Sequence, residues 1–223
     1  MLLAVDIGNS TTSIGVFDRN QNLRLLASVN TDSRKTADQI SIDLMNLFAL
    51  YHFDYSSISG AILCSVVPPL NFMMEKALGR LLGKPPMVVG PGVKTGLNIR
   101  LTVQSEMGAD IVADAVAALE KFPPPIITID MGTATTFCVI DEKGNYLGGA
   151  VAPGIGISME ALFRCASKLP RIELVKTESV ICKNTVSAMQ AGIYYGFVGQ
   201  IDEVVRRIKA EMKRDDIKVI ATG

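Results

Sequence analysis

The chain opens with an apolar run, Leu2-Leu3-Ala4-Val5, that delivers Asp6 into a stretch of small and polar residues from Gly8 to Ser13. Apolar and polar positions then alternate on either side of the polar turn Asp18–Asn22. This period of two predicts three strands, near Leu2–Val5, Ser13–Phe17 and Leu23–Asn30. The period changes after Thr36, a residue suited to cap a helix. Ile40, Ile42, Leu44, Met45, Leu47 and Phe48 form a broad apolar face at helical spacing. Gly60–Val66 reads as a short buried strand ended by Pro68-Pro69, Asn71–Leu82 as an amphipathic helix closing at Gly83, and Met87–Val89 as another short strand. A further helix is predicted from Glu106 to Lys121, capped by Ser105 or Glu106 and stopped by Pro123-Pro124-Pro125.

Beyond the prolines the pattern starts again. Ile127-Thr128-Ile129 delivers Asp130 into a second small, polar turn. A hairpin through Gly144-Asn145, a strand over Tyr146–Val151 and a helix from about Ser158 to Ala166 are expected to follow. Thr185 to Lys213 has helical periodicity, with an interruption expected near Gly192 or Gly196. The strand Lys218–Ala221 runs into Thr222-Gly223, an ending that normally opens a loop and another helix, so a continuation past Gly223 is expected.

LLAVDIGNSTT from Leu2 and ITIDMGTATT from Ile127 are close copies. Aligning Asp6 with Asp130 also aligns Gly8 with Gly132, Asn9 with Thr133 and Thr11 with Thr135. Each copy is followed by a strand, a polar turn and a second strand. A repeat in matched context implies a duplicated α/β architecture, divided here into residues 1–121 and 122–223, with two turns facing one cleft.

Twenty-two lysines and arginines balance 22 acidic residues, so the chain has no basic field for nucleic acid and no acidic tail. Cys64, Cys138, Cys165 and Cys182 lack metal-type spacing and read as reduced thiols of a cytoplasmic protein. Met1 leads directly into a strand carrying Asp6, which does not read as a signal peptide, and no apolar run approaches membrane-spanning length. The single histidine, His52, follows a predicted helix and is given no catalytic role.

The chemistry gathers at the repeated turns. Each Asp-x-Gly turn sets a carboxylate at the end of a strand, beside a glycine that lets a ligand approach the backbone. Backbone N–H groups and Ser or Thr hydroxyls there suit phosphate oxygens, while the carboxylate suits a bridging cation. One such turn is more often an ordinary hairpin with an Asx bond; two in matched context favour phosphate. Gly108-Ala109-Asp110 opens a helix. Asp110 there either complements the helix dipole or serves as a base towards a substrate hydroxyl. Pro153-Gly154-Ile155-Gly156 leads into another helix N-terminus, where backbone donors suit an anion.

These residues resemble the type III pantothenate kinases of the acetate-kinase, sugar-kinase, Hsp70 and actin superfamily, over essentially the whole chain. Asp6-Ile7-Gly8-Asn9-Ser10 is similar to that family's first phosphate motif and Asp130-Met131-Gly132-Thr133-Ala134 to its second. Gly108-Ala109-Asp110 matches three residues of its Gly-Ala-Asp-Arg motif, and Asn184-Thr185 its Asn-Thr. The resemblance implies two ribonuclease-H-like domains in a duplicated actin-like fold, a homodimer, and ATP-dependent phosphorylation of pantothenate, the first committed step to coenzyme A. It implies that Asp110 is the general base and that Asp130 binds a monovalent cation, potassium or ammonium. Asp6, Ile7, Gly8, Asn9, Ser10, Thr11, Thr12, Ser13 and Thr133 would hold ATP through Mg²⁺. Leu101, Gly108, Ala109, Ile111 and Thr185 would stand at the substrate.

The chain departs from the family pattern where Ile111 replaces the Arg of Gly-Ala-Asp-Arg and Leu101 replaces a Tyr ten residues before it. Loss of a bidentate Arg contact to a carboxylate is not a conservative change. Two alternatives therefore stand beside pantothenate phosphorylation: a kinase for a different small alcohol, and a nucleotide-binding regulatory relative.

Overall fold

The computed structural model describes residues 1–90, 92–103 and 107–223. They form two compact units, Met1–Thr95 with Ser105–Asp114 and Gly96–Gln104 with Ala115–Gly223.

The first unit is built on β1 (Leu2–Ile7), β2 (Thr11–Phe17), β3 (Leu23–Asn30), β4 (Gly60–Ser65) and β5 (Met87–Val88), in the order β3-β2-β1-β4-β5. β1 runs antiparallel to β2 and parallel to β4. Helices α1 (Ala37–Leu50) and α2 (Pro68–Leu82) complete the unit. Leu3, Val5 and Ile7 alternate into a core with Ile14, Val16, Leu63, Phe48 and Leu78. That alternation leaves Asp6 on the other face of the sheet, level with Ser13 on β2 and Cys64 on β4.

Thr36 caps α1 as expected. Its Oγ1 accepts from the Gln39 N–H at 3.3 Å while Gln39 Oε1 accepts from the Thr36 N–H at 2.9 Å. Pro68 and Pro69 do not merely end β4; they open α2, three residues before the expected start. Proline lacks an N–H that the first turn would leave unpaired, and its fixed φ suits that turn.

The second unit is built on β6 (Asn98–Ile99), β7 (Ile126–Met131), β8 (Ala134–Ile140), β9 (Asn145–Pro153) and β10 (Lys218–Thr222), in the order β10-β7-β8-β9-β6. β6 was not foreseen; two residues carry no readable period. Helices α3 (Ala109–Lys121), α4 (Ile155–Cys165) and α5 (Thr185–Met212) accompany this sheet, and the division between the units falls inside α3. Glu106, expected to begin α3, lies outside the described residues, as does Ser105.

Sheet residues are buried on both faces here. Ile126 and Ile140 pack with Ala115 and Ala118 of α3, while Ile127, Ile129 and Phe137 pack with Ile201, Val204, Val205 and Ile208 of α5. This explains why β7 reads as a continuous apolar run. α5 continues through Gly192, Gly196 and Gly199 without the expected break. Glycine in a helix costs about 1 kcal/mol but keeps its N–H, so packing against the sheet overrides it.

The duplication is visible as β3-β2-β1-β4 in one unit and β9-β8-β7-β10 in the other, with the same strand directions. The two turns differ in length, however. Ile7 pairs with Thr12, whereas Met131 pairs with Thr135. By register, then, Thr12 and not Thr11 is the counterpart of Thr135, and both are buried, at 4 % and 0 % exposure.

Candidate functional site

In the first unit, β1 lifts Asp6 to the carboxyl end of its strand, where the turn Gly8–Ser10 begins. The Gly8 N–H donates to the Thr11 carbonyl at 3.0 Å, closing the turn. Thr31, which sequence reading missed, pins it from behind. Its Oγ1 donates to the Gly8 carbonyl at 2.8 Å and its N–H to the Ser10 carbonyl at 3.0 Å. Thr12 is turned inward, its hydroxyl 2.9 Å from that of Thr31. Ile7 is fully buried. The groups left outward are Asn9, Ser10 and Thr11, all exposed, with Gly8 and Ser13 partly so.

Asp110 belongs to the same unit. It sits in the first turn of α3, where its Oδ1 accepts from the Ile111 N–H at 2.8 Å. A Cβ at Gly108 would collide with that same Oδ1 and approach Val66 to 3.8 Å, so the glycine leaves room for the carboxylate. Asp110 and Asp6 are near enough to repel. Burial raises the Asp6 carboxyl above its ordinary value, a hydrogen bond from Cys64 opposes the rise, and the Asp110 charge adds to it. Asp6, with no lysine or arginine among the described groups that shift it, and the neighbouring Asp110 form a site that favours a cation carried in with a ligand. Among the described residues no group of three His, Cys, Asp or Glu side chains is arranged to hold a metal on its own. That fits magnesium, which takes one or two carboxylates and leaves the remaining positions to water and phosphate.

In the second unit Asp130 is the penultimate residue of β7 and is half-buried, while Gly132 and Thr133 are exposed in the turn. The Gly132 N–H donates to the Ala134 carbonyl at 3.0 Å. The glycine-rich Pro153–Gly156 segment is tied to this turn, because the Gly154 N–H donates to the Thr133 carbonyl at 3.0 Å. Gly154 is buried against the turn so tightly that a Cβ would strike the Gly132 and Thr133 carbonyls. Gly154 is also the N-cap of α4, with no side-chain cap. The second turn therefore adjoins an uncapped helix N-terminus, a setting suited to anions.

Leu101 follows β6, where it approaches the Gly148 Cα from the side on which a Cβ would meet it at 3.6 Å. Thr185 is exposed and opens α5, whose N-cap Asn184 accepts from the Ser187 N–H at 2.9 Å. Thus Asp6, the first turn, Gly108, Ala109, Asp110 and Ile111 share the first unit; Asp130, Thr133, Leu101 and Thr185 share the second.

The family model for type III pantothenate kinase matches residues 2–207. The chain belongs to that family. A type III pantothenate kinase from Brevibacillus brevis is 47 % identical over 223 residues, which are 100 % of this chain and 87 % of that protein. Two solved structures share the fold at low identity. The ethanolamine utilization protein EutJ from Carboxydothermus hydrogenoformans has a TM-score of 0.54 at 15 % identity, over 98 % of this chain and 75 % of its own. The activator of the 2-hydroxyisocaproyl-CoA dehydratase from Clostridium difficile, with bound ADPNP, has a TM-score of 0.51 at 9 % identity, over 99 % and 79 %. The fold is the duplicated actin-like α/β fold. This chain carries the Asp-x-Gly turns at Asp6 and Asp130, with Ile111 directly after Asp110.

Proposed function

We propose that this chain transfers the γ-phosphoryl group of ATP to the primary hydroxyl of pantothenate, in coenzyme A biosynthesis. The observation that carries the reading is full-length membership of the family with Asp110 retained beside Asp6. Asp110 acts as general base. It orients the acceptor hydroxyl and takes its proton as the oxygen attacks phosphorus in line, with ADP leaving. The exposed turn residues Asn9, Ser10 and Thr11, together with Ser13, would hold phosphate oxygens, and Thr133 would do so from the second unit. Asp6 is the carboxylate that would meet magnesium, which neutralises phosphate charge when bound with the nucleotide. Asp130 would hold a potassium or ammonium ion. Gly108, Ala109, Leu101, Ile111 and Thr185 would border the acceptor. Catalysis on this reading is mainly positioning and charge neutralisation.

The protein is read as a cytoplasmic homodimer. Only Met189 and Ala191 are buried along the 28 residues of α5, while Val186 and Val198 are exposed, which supports a partner on that helix. No helix among the described residues is long and apolar enough to cross a membrane.

The second reading keeps phosphoryl transfer with a less acidic alcohol as acceptor, and Leu101 with Ile111 favours it, since both are apolar. A coupled ADP-release assay with and without pantothenate, in potassium and then in sodium buffer, decides. Pantothenate-dependent turnover is the expected result. ATP binding without pantothenate-stimulated turnover would overturn the acceptor and turn the search to other small alcohols.

A further inference from the structure

Cys64 has no place in the chemistry above, yet β4 sets it directly beside Asp6. The two residues are register partners on adjacent parallel strands, so their side chains leave the same face of the sheet. Val66, two residues on, donates its N–H to the Ile7 carbonyl at 3.0 Å, which extends the pairing past Asp6 and fixes the level of the two side chains. Cys64 is 9 % exposed. A hydrogen bond joins its thiol to the Asp6 carboxylate.

A thiol in this setting has three possible uses. Nucleophilic attack and metal ligation both need the thiolate. Cys64 is buried, and among the described residues no group of three His, Cys, Asp or Glu side chains is arranged to hold a metal, so neither attack nor ligation has a partner at this position. The side-by-side register with Asp6 leaves the third use, a donor to that carboxylate. The bond runs from Sγ–H to a carboxylate oxygen, since an ionised carboxylate only accepts.

Resting on the kinase reading, we propose that Cys64 is a positioning residue: its thiol donates to one oxygen of Asp6 and aims the other at the cation that accompanies the nucleotide. Among the described residues none of the groups that shift Asp6 is a lysine or arginine, and part of its surface stays open to a ligand. Without the thiol its carboxylate is free to rotate away or towards Asp110. The effect belongs to nucleotide binding and leaves the acceptor untouched.

The test is titration of Mg·ATP into the protein by calorimetry, without acceptor, for wild type, Cys64→Val and Cys64→Ser, with the melting temperature of each. Valine removes the donor at somewhat larger volume, alanine removes it at smaller volume, and serine keeps a donor at smaller volume. Cys64→Val is expected to weaken Mg·ATP about tenfold, the weight of one hydrogen bond to a charged group. Cys64→Ser is expected to restore most of that loss. A pure packing role gives the reverse order, because a buried hydroxyl costs more than a valine, and that order overturns the proposal. Equal affinities for valine and wild type also overturn it, as does equal weakening by both substitutions. Should the valine variant not fold, Cys64→Ala takes its place with the same expectation. Wild-type protein without affinity for Mg·ATP refutes the kinase reading itself, and the role of Cys64 with it.

Discussion

The carboxylate of Asp110 lies over Gly108, in the space that a Cβ at position 108 would occupy. The clash of a side chain there would be with the mobile end of Asp110 and not with backbone, so the fold survives while the carboxylate moves. Gly108→Ala is expected to lower kcat at least about tenfold, because misplacing a catalytic group by an ångström is costly, while the melting temperature changes little. Asp110→Asn is the limiting case, expected to remove about two orders of magnitude or more from kcat and to leave Mg·ATP affinity nearly unchanged. A normal rate in Asp110→Asn would sink its assignment as base, and a normal rate in Gly108→Ala would show that its orientation is not critical.

Asp6 carries a stability cost with a definite sign. Its carboxyl is raised above 3.8 by burial, so the folded protein binds its proton more tightly than the unfolded chain. Stability contributed by this group therefore falls as pH rises from 3.8 through the raised value, and stays lower above both. Without nucleotide or divalent cation, Asp6→Asn is expected to be more stable than wild type to urea at pH 7, with the difference closing at pH below 4. Equal stability at both pH values would contradict the assigned burial of the carboxyl.

Asp130 is expected to set the response to monovalent cations. Wild-type turnover in potassium should exceed that in sodium. Asp130→Ala should abolish the difference, and an unchanged cation response in the variant removes Asp130 from the list of ligands.

Gly149 tests the fold away from the chemistry. It pairs with Cys138 across β8 and β9, and a Cβ would collide with the Phe137 carbonyl oxygen and lie 2.8 Å from its carbon. The register slips just beside it, where Gly148 has φ +125°. Gly149→Ala must push two paired backbones apart, an overpacking cost of about 2–3 kcal/mol. Urea denaturation measures it; a loss below about 0.5 kcal/mol would mean that the strands separate freely there.

Much of this molecule was legible in its sequence because the signals were local. Alternation placed β1, β2 and β3, Thr36 announced the cap of α1, and the repeated Asp-x-Gly turns announced the duplication. Gly108-Ala109-Asp110 stood out as a motif, and the structure adds that its glycine makes room for its aspartate. What the sequence left open was whatever depends on residues far apart in the chain. The extra residue in the first turn appears only from strand register, which moves the counterpart of Thr135 from Thr11 to Thr12. The hydroxyl of Thr31 under Gly8, the seat of Gly154 against Thr133 and the thiol of Cys64 beside Asp6 all arise from pairing or packing between distant segments. Continuity of α5 through three glycines was likewise decided by the sheet beneath it. Periodicity and turn chemistry are written in neighbouring residues; proximity across a sheet is not, because it is fixed by which strands pair and in what register.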